Sequence, residues 1–285
     1  MGTYLMIILD ACRYDYITRS TTPFLYNLML SGSYSVIRVR PSFATRVEMF
    51  TGMLPSRTDT FVDYVLGLER ATTVMKYYAA KILHHLCPRK LIFGNLNIPI
   101  RLRPYFRINP SLVLFYRLER ECKKPHLFGF LRENKFDVIF LYGHSSTLLS
   151  NALRIVRRLK DTSLRNIFLV LHFSDLDVLG HLRGPKNITV KFALYRMDRL
   201  VQHIYTQYCK HIDMLIVLGD HGMEEVKFHV DLLGMLNEMR IYNRYKLCKD
   251  FVFFLNSPMV RFWFFNKDCL LYTSDAADEL DGVDI

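Results

Sequence analysis

The chain has 285 residues, about half of them hydrophobic, which is enough to bury a sizeable core in one large domain or in a domain carrying an insertion. Its apolar runs fall far short of the ~20 residues that span a bilayer, and the start, running from Met1 into Asp10, has no basic signal-peptide region, so a cytoplasmic protein without a transmembrane segment is expected. The formal charge of +11 favours anionic partners, although no recognised nucleic-acid motif is present; six irregularly spaced cysteines without a C-x-x-C pair predict reduced thiols rather than a disulfide framework.

In chain order, the predicted strands are YLMIILD (4–10), SYSVIRV (33–39), FDVIFLY (136–142), NIFLVLHF (166–173), DMLIVLGD (213–220), FVFFLN (251–256) and MVRFWFF (259–265). Continuous apolar runs of this length fit strands covered on both faces. Helical spacing marks Thr22–Ser31, opened by Pro23, and Ile188–Lys210. Alternation of the two predicts an α/β fold. The stretch from Phe61 to about Phe136 is basic, aromatic and irregular, and reads as a cap or insertion in a catalytic domain spanning 1–269.

Beyond Leu270 the composition becomes acidic and small, with five acids and no base in the last fifteen residues. The segment LYTSDAADE resembles translated adapter sequence. Residues 270–285 are therefore expected to be non-native, and the domain to be truncated at its C-terminus.

Ligands of open α/β sheets gather beyond the carboxyl ends of the strands. Asp10, Asp177 and the pair Asp220 and His221 each follow an apolar run, and His181 lies four residues after Asp177. Carboxylates and imidazoles brought to one rim have the composition of a metal site, with zinc the best match. Each residue alone also fits a helix cap or a strand-end turn.

The segments MIILDACRYDY, TTPFLYNL, PSFATRVEMFTGMLPSRT, DLDVLGHLRGP and GDHGM occur in the order and spacing of the alkaline phosphatase superfamily, and D-x-x-G-H-x-x-G-P most resembles the type I phosphodiesterase and nucleotide pyrophosphatase branch. The resemblance implies a mixed, mostly parallel central sheet sandwiched by helices, with two zinc ions at the strand ends. It makes Asp10, Asp220 and His221 ligands of one ion, and Asp177 and His181 ligands of the other, with Gly180 allowing a tight turn between them.

In this family the nucleophile lies nine residues before the Thr of the T-G pair. Counting back from Thr51 gives Ser42, which would also contact metal and form a phosphoserine intermediate; Thr45 is the rival. Arg46 stands where relatives carry Arg or His; it fits either a residue that neutralises the substrate's anionic oxygens or an ordinary surface arginine. The implied function is metal-dependent hydrolysis of a small anionic phosphoester, most closely a phosphodiester or nucleotide pyrophosphate. Two alternatives stand beside it. S-x-A-x-R at Ser42–Arg46 resembles sulfatases that oxidise the serine to formylglycine, although those pair adjacent aspartates where this chain has Asp10-Ala11. A catalytically impaired binding protein on the same fold is the other. Relatives supply a third ligand to the second ion from a later segment, and His229 is the one histidine after His221, so that ion is expected to bind weakly.

Overall fold

The computed structural model describes residues 2–39, 45–58, 64–66, 106–108, 125–146, 148, 166–228, 230–238, 245–246, 249–256 and 259–265. Ser42, His229, most of the 61–136 segment and all of 270–285 lie outside them. The chain divides into two compact units, residues 1–61 with 111–227 and residues 62–110 with 228–285.

The first unit is built on four parallel strands: β1 (Thr3–Leu9), β4 (Asp137–Gly143), β5 (Ile167–Phe173) and β6 (Met214–Gly219). They lie in the order β4-β5-β1-β6. Thr3–Leu9 pairs with Ile167–Phe173 on one side, and Tyr4–Leu9 with Met214–Gly219 on the other. All seven residues of β5 are buried, as its unbroken apolar run requires of a strand covered on both faces.

Helices cover both faces. On one, α1 (Pro23–Ser31) and the long α6 (Ile188–Tyr208) pack Leu25, Val190, Leu194, Met197 and Val201 against Leu5, Ile7, Leu169 and Leu171. On the other, Phe50 of α2 (Thr45–Thr51) and Phe128 and Leu131 of α4 (Leu127–Glu133) cover Met6, Ile8, Phe168 and Val170. The alternation of β1 residues between these two clusters is the period-two pattern of a strand read from above and below the sheet. The result is an α/β fold with a parallel central sheet between helices.

In the second unit, β2 (Tyr64–Leu66) pairs with β3 (Phe106–Ile108), and β7 (Phe251–Asn256) with β8 (Met259–Phe264), both antiparallel. Phe251, Val252 and Phe253 are buried there with Leu236 of α7 (Leu232–Glu238).

One predicted strand does not form. Residues 33–39 are irregular, and Tyr34, Val36, Ile37 and Val39 are all exposed. β-branched composition reflects a fit to a pleated, half-buried surface, and this segment pairs with no strand among the described residues.

A buried charge fastens α1 to α6. Pro23 opens α1 and its Ncap residue, Thr22, makes no side-chain cap to the helix. Instead Asp198, buried in the middle of α6, accepts hydrogen bonds from the backbone N–H groups of Phe24 (3.2 Å) and Leu25 (2.8 Å). A carboxylate at a helix N-terminus is favoured by both the free N–H groups and the helix dipole. Asp198→Ala is expected to lower stability by about 3 kcal/mol, because it orphans two buried donors as well as removing the acceptor. Urea unfolding with an unchanged m-value would measure it.

Candidate metal and phosphoester site

Three strands deliver the site. Leu9 is in register with Phe173 and with Gly219, so the residues that follow them, Asp10, Ser174 and Asp220, emerge together at the carboxyl edge of the sheet. After Ser174 the chain enters α5 (Asp175–Arg183), which carries Asp177 and His181.

This corrects the reading of Asp177 and Gly180. Asp177 does not end a strand and Gly180 makes no turn; both lie inside α5. Asp177 and His181 are i, i+4 neighbours on one helical face, with Oδ1 and Nε2 3.3 Å apart. Gly180 leaves room for Met223, in the loop that follows Asp220 and His221: a Cβ there would meet its Sδ at 2.5 Å and the methionine side chain would have to shift. The D-x-x-G-H spacing is thus a helical pair with a gap for the neighbouring loop.

The buried centre consists of Asp10, Asp220 and His172. His172 Nε2 lies 3.1 Å from Asp10 Oδ2 and 3.6 Å from Asp220 Oδ2. Asp220 Oδ1 accepts the backbone N–H groups of Ala11 (3.2 Å) and His221 (3.0 Å). Ala11 has a φ of 59°, a left-handed conformation that a non-glycine residue holds only at some energetic cost. That conformation accompanies the Ala11 N–H bond to Asp220.

A second cluster shares Asp10: its carboxylate, Asp177 and the His221 imidazole come within 4.8 Å of one another, and His221 Nε2 is 3.1 Å from Asp10 Oδ1. The sequence motif places Asp10, Asp220 and His221 around one ion and Asp177 with His181 around another. The structure brings all five to one rim and adds His172, with Asp10 common to both clusters. Motif spacing does not single out His172, although a polar side chain inside the fully buried run LVLHF demands a partner and so carries a signal.

The electrostatics follow from burial and pairing. Burial opposes ionisation of Asp10, yet its hydrogen bonds with His172 and His221 prevail and hold the carboxyl well below the usual range. Burial and the Asp10 charge push Asp220 upward. For His221, burial disfavours the charged ring, but Asp10 and Asp220 raise it to about 9. The hydrogen bond that His181 donates to the Asp177 carboxylate raises His181. Cys12, beside this centre, is a free thiol pushed up to about 12 by burial and by Asp220, which makes it inert.

These residues suit a divalent cation. Among the described residues, Asp220 Oδ2 is buried without a hydrogen-bond partner, Asp10 Oδ1 faces only the His221 ring nitrogen, and His172 and His221 offer imidazole nitrogens beside them. Orphaned carboxylate oxygens facing imidazoles are the donor set that zinc takes.

Arg46, in the first turn of α2, stacks its guanidinium over the Tyr142 ring at 5.3 Å, and its charge lowers both Asp10 and Asp220. The Tyr142 ring in turn meets His172 edge-on at 5.0 Å. Downstream, Thr51 and Gly52 terminate α2: Thr51 Oγ1 bonds the Val47 carbonyl (2.6 Å) and accepts from the Met53 N–H, while Gly52 takes a φ of 64°. Only glycine holds that turn without strain, which accounts for the T-G pair.

Gly219 ends β6 immediately before Asp220. A Cβ there would run into the backbone carbonyl of Cys12, which cannot swing aside as a side chain does. Gly219→Ala is expected to cost about 3 kcal/mol through forced backbone shifts and to displace Asp220. A fall in the melting temperature together with loss of metal uptake would register both effects.

Residues 132–261 match the type I phosphodiesterase / nucleotide pyrophosphatase family. GPI ethanolamine phosphate transferase 2 of Candida glabrata is 32% identical over 230 residues, covering 79% of this chain and 26% of that protein. The Candida albicans transferase is 45% identical over 62 residues, covering 21% of this chain and 7% of that protein. The chain therefore spans about a quarter or less of the length of these two relatives. The structure of murine ectonucleotide pyrophosphatase / phosphodiesterase 5, in complex with AMP, superposes with a TM-score of 0.62 over 99% of this chain and 70% of that one; at 13% identity the likeness is one of fold. By this match and this fold the chain resembles the type I phosphodiesterase and nucleotide pyrophosphatase family.

Proposed function

We propose that the chain forms a metal-dependent catalytic domain that transfers ethanolamine phosphate, or a closely similar phosphodiester-borne group, to a hydroxyl acceptor of the GPI type. The observation that carries this is the pair of Asp and His clusters sharing Asp10 at the carboxyl ends of β1, β5 and β6, in a chain whose curated relatives are named as ethanolamine phosphate transferases.

Asp10, His172, Asp220, Asp177 and His221 would hold two divalent ions, with His181 beside them. Such ions supply Lewis-acid polarisation of phosphoryl oxygens and stabilise an attacking hydroxyl in its deprotonated form. Ser42 Oγ attacks phosphorus; the P–O bond to the donor alcohol breaks, and that alcohol leaves with a proton while Ser42 gives one up. The acceptor hydroxyl then forms its own P–O bond as the Ser42 Oγ–P bond breaks. Arg46, held against Tyr142, pairs with the anionic non-bridging oxygens throughout. Asp10, kept ionised by its two histidines, ties the two clusters together.

Hydrolysis is the same chemistry with water as acceptor, and the exposed His181 imidazole marks a rim open to solvent. A sulfatase is disfavoured at Ala11: it stands where those enzymes carry a second aspartate, and its side chain is buried. The test is to give the zinc-loaded protein a labelled ethanolamine phosphodiester with and without a GPI-type hydroxyl acceptor. Labelled acceptor is the expected product. Free ethanolamine phosphate at an acceptor-independent rate would establish the hydrolase instead, and a metal-loaded protein that consumes no phosphoester would leave only the binding role.

A further inference from the structure

The solvent face of α5 and α6 is not the polar face that a surface helix normally presents. One side of α6 buries Val190, Ala193, Leu194, Met197 and Val201 in the core. The opposite side exposes Ile188 (72%), Phe192 (63%) and Tyr195 (44%), which at spacings of four and three residues form one stripe. Leu182, near the end of α5, is 71% exposed beside it in the chain. Between the two helices a cleft of about 380 Å³ opens, lined by Leu179, Ile188, Phe192 and Met197, with Ser145 and Asp175 bonded to each other at its edge.

The charges carried by residues 178–197 have one sign, with Asp175 of the cleft edge bonded to Ser145. From Val178 to Met197 there is no Asp or Glu, while Arg183, Lys186, Lys191 and Arg196 all occur. Lys186 pairs with Glu225; among the described residues no carboxylate pairs with Arg183, Lys191 or Arg196. A water-facing protein surface places mixed charges on such a helix, and an exposed apolar patch rimmed by charge marks a contact with another body, whose charge must oppose that of the rim. Apolar tips amid unpaired bases match a bilayer interface, where acyl chains receive the tips and anionic headgroups receive the cations.

We propose that the Leu182–Arg199 face docks on an anionic lipid surface, with Ile188 and Phe192 inserting at the headgroup boundary and Arg183, Lys191 and Arg196 contacting lipid phosphates and carboxylates. Leu182 directly follows His181, so the docked face adjoins the rim of the Asp and His clusters and would present them to headgroups of the same membrane. The surface stands on its own exposure and charge and holds whether or not the transfer reaction is as proposed.

The experiment is flotation of the full chain with vesicles of phosphatidylcholine, with or without phosphatidylserine, neither offering a GPI acceptor. Binding is expected only with phosphatidylserine, and should weaken as salt rises from about 0.1 to about 0.5 M. The exposed pair Ile188→Ser/Phe192→Ser should weaken it about tenfold, and Lys191→Glu/Arg196→Glu about thirtyfold or more, with melting temperatures unchanged. Failure of the parent to float with anionic vesicles, or equal flotation by the apolar double variant, would overturn the proposal. So would single-stranded nucleic acid binding that depends on the bases and ignores Ile188 and Phe192, which would make the face a polyanion site. Loss of a dimer in the apolar variant, read by sedimentation in the absence of lipid, would assign the face to self-association and equally overturn it.

Discussion

Asp10→Asn is expected to abolish uptake of both ions and to lower phosphoester turnover by about 10³-fold or more. The size of the effect follows from geometry: Asp10 is the one carboxylate common to the two clusters, with His172 at 3.1 Å from one oxygen and His221 at 3.1 Å from the other. Asparagine keeps the shape and removes the charge, so loss of fold is not the expected cause. The metal-free protein offers a separate readout. His221 is raised from its ordinary 6.5 to about 9, with the Asp10 hydrogen bond the largest contribution against burial. A group raised on folding contributes stability that is complete below about 6.5 and is lost as the pH climbs through about 9. In the Asp10→Asn variant that slope should flatten, and the His221 titration, followed by NMR, should move toward neutrality or below. Zinc must displace the same proton, so binding to the parent should release a proton at pH 7 and tighten as the pH approaches 9. Calorimetry in buffers of different ionisation enthalpy counts it. Retention of two tightly held ions by Asp10→Asn would exclude Asp10 as the shared ligand.

Much of this site is legible in the sequence because apolar runs and chemistry-bearing residues meet at strand ends. β1, β5 and β6 are continuous apolar stretches, and each hands the chain over to an acid within a few residues; the parallel register then forces those acids to one edge. Pairing of side chains is less legible. D-x-x-G-H reads as a turn because it contains a glycine, whereas in the structure Gly180 lies inside a helix with Met223 packed against it. The grouping around Asp10 depends on rotamers at three strand ends, which spacing does not encode. His172 escapes motif reading for a simpler reason: within an apolar strand its neighbours give no pattern, and its meaning lies in two carboxylates that are distant in the chain, one on either side. At 33–39 the error runs the other way, since β-branched residues suggest a strand, yet the segment pairs with none of the described strands.

The nucleophile is the assignment that rests on spacing alone. Ser42 lies three residues ahead of α2, whose first residue is Thr45. The observed end of α2, with Thr51 bonded to Val47 and Gly52 in a left-handed turn, fixes the point from which the nine-residue count to Ser42 is made. Ser42→Ala is expected to reduce turnover by about 10³-fold or more, because the variant lacks the hydroxyl on which the proposed covalent intermediate would form. Thr45→Ala should stay within a few-fold of the parent, and Ser42→Thr should recover part of the activity, since a threonine hydroxyl supplies the same oxygen. Metal uptake should be almost unchanged in all three, which separates loss of the nucleophile from loss of the ions expected with Asp10→Asn. Acid quenching of the zinc-loaded protein during turnover, followed by peptide mass spectrometry, should find the transferred phosphoester on the peptide containing Ser42. An adduct on Thr45, or full turnover by Ser42→Ala, would move the nucleophile into the first turn of α2, beside the Arg46 that stacks on Tyr142.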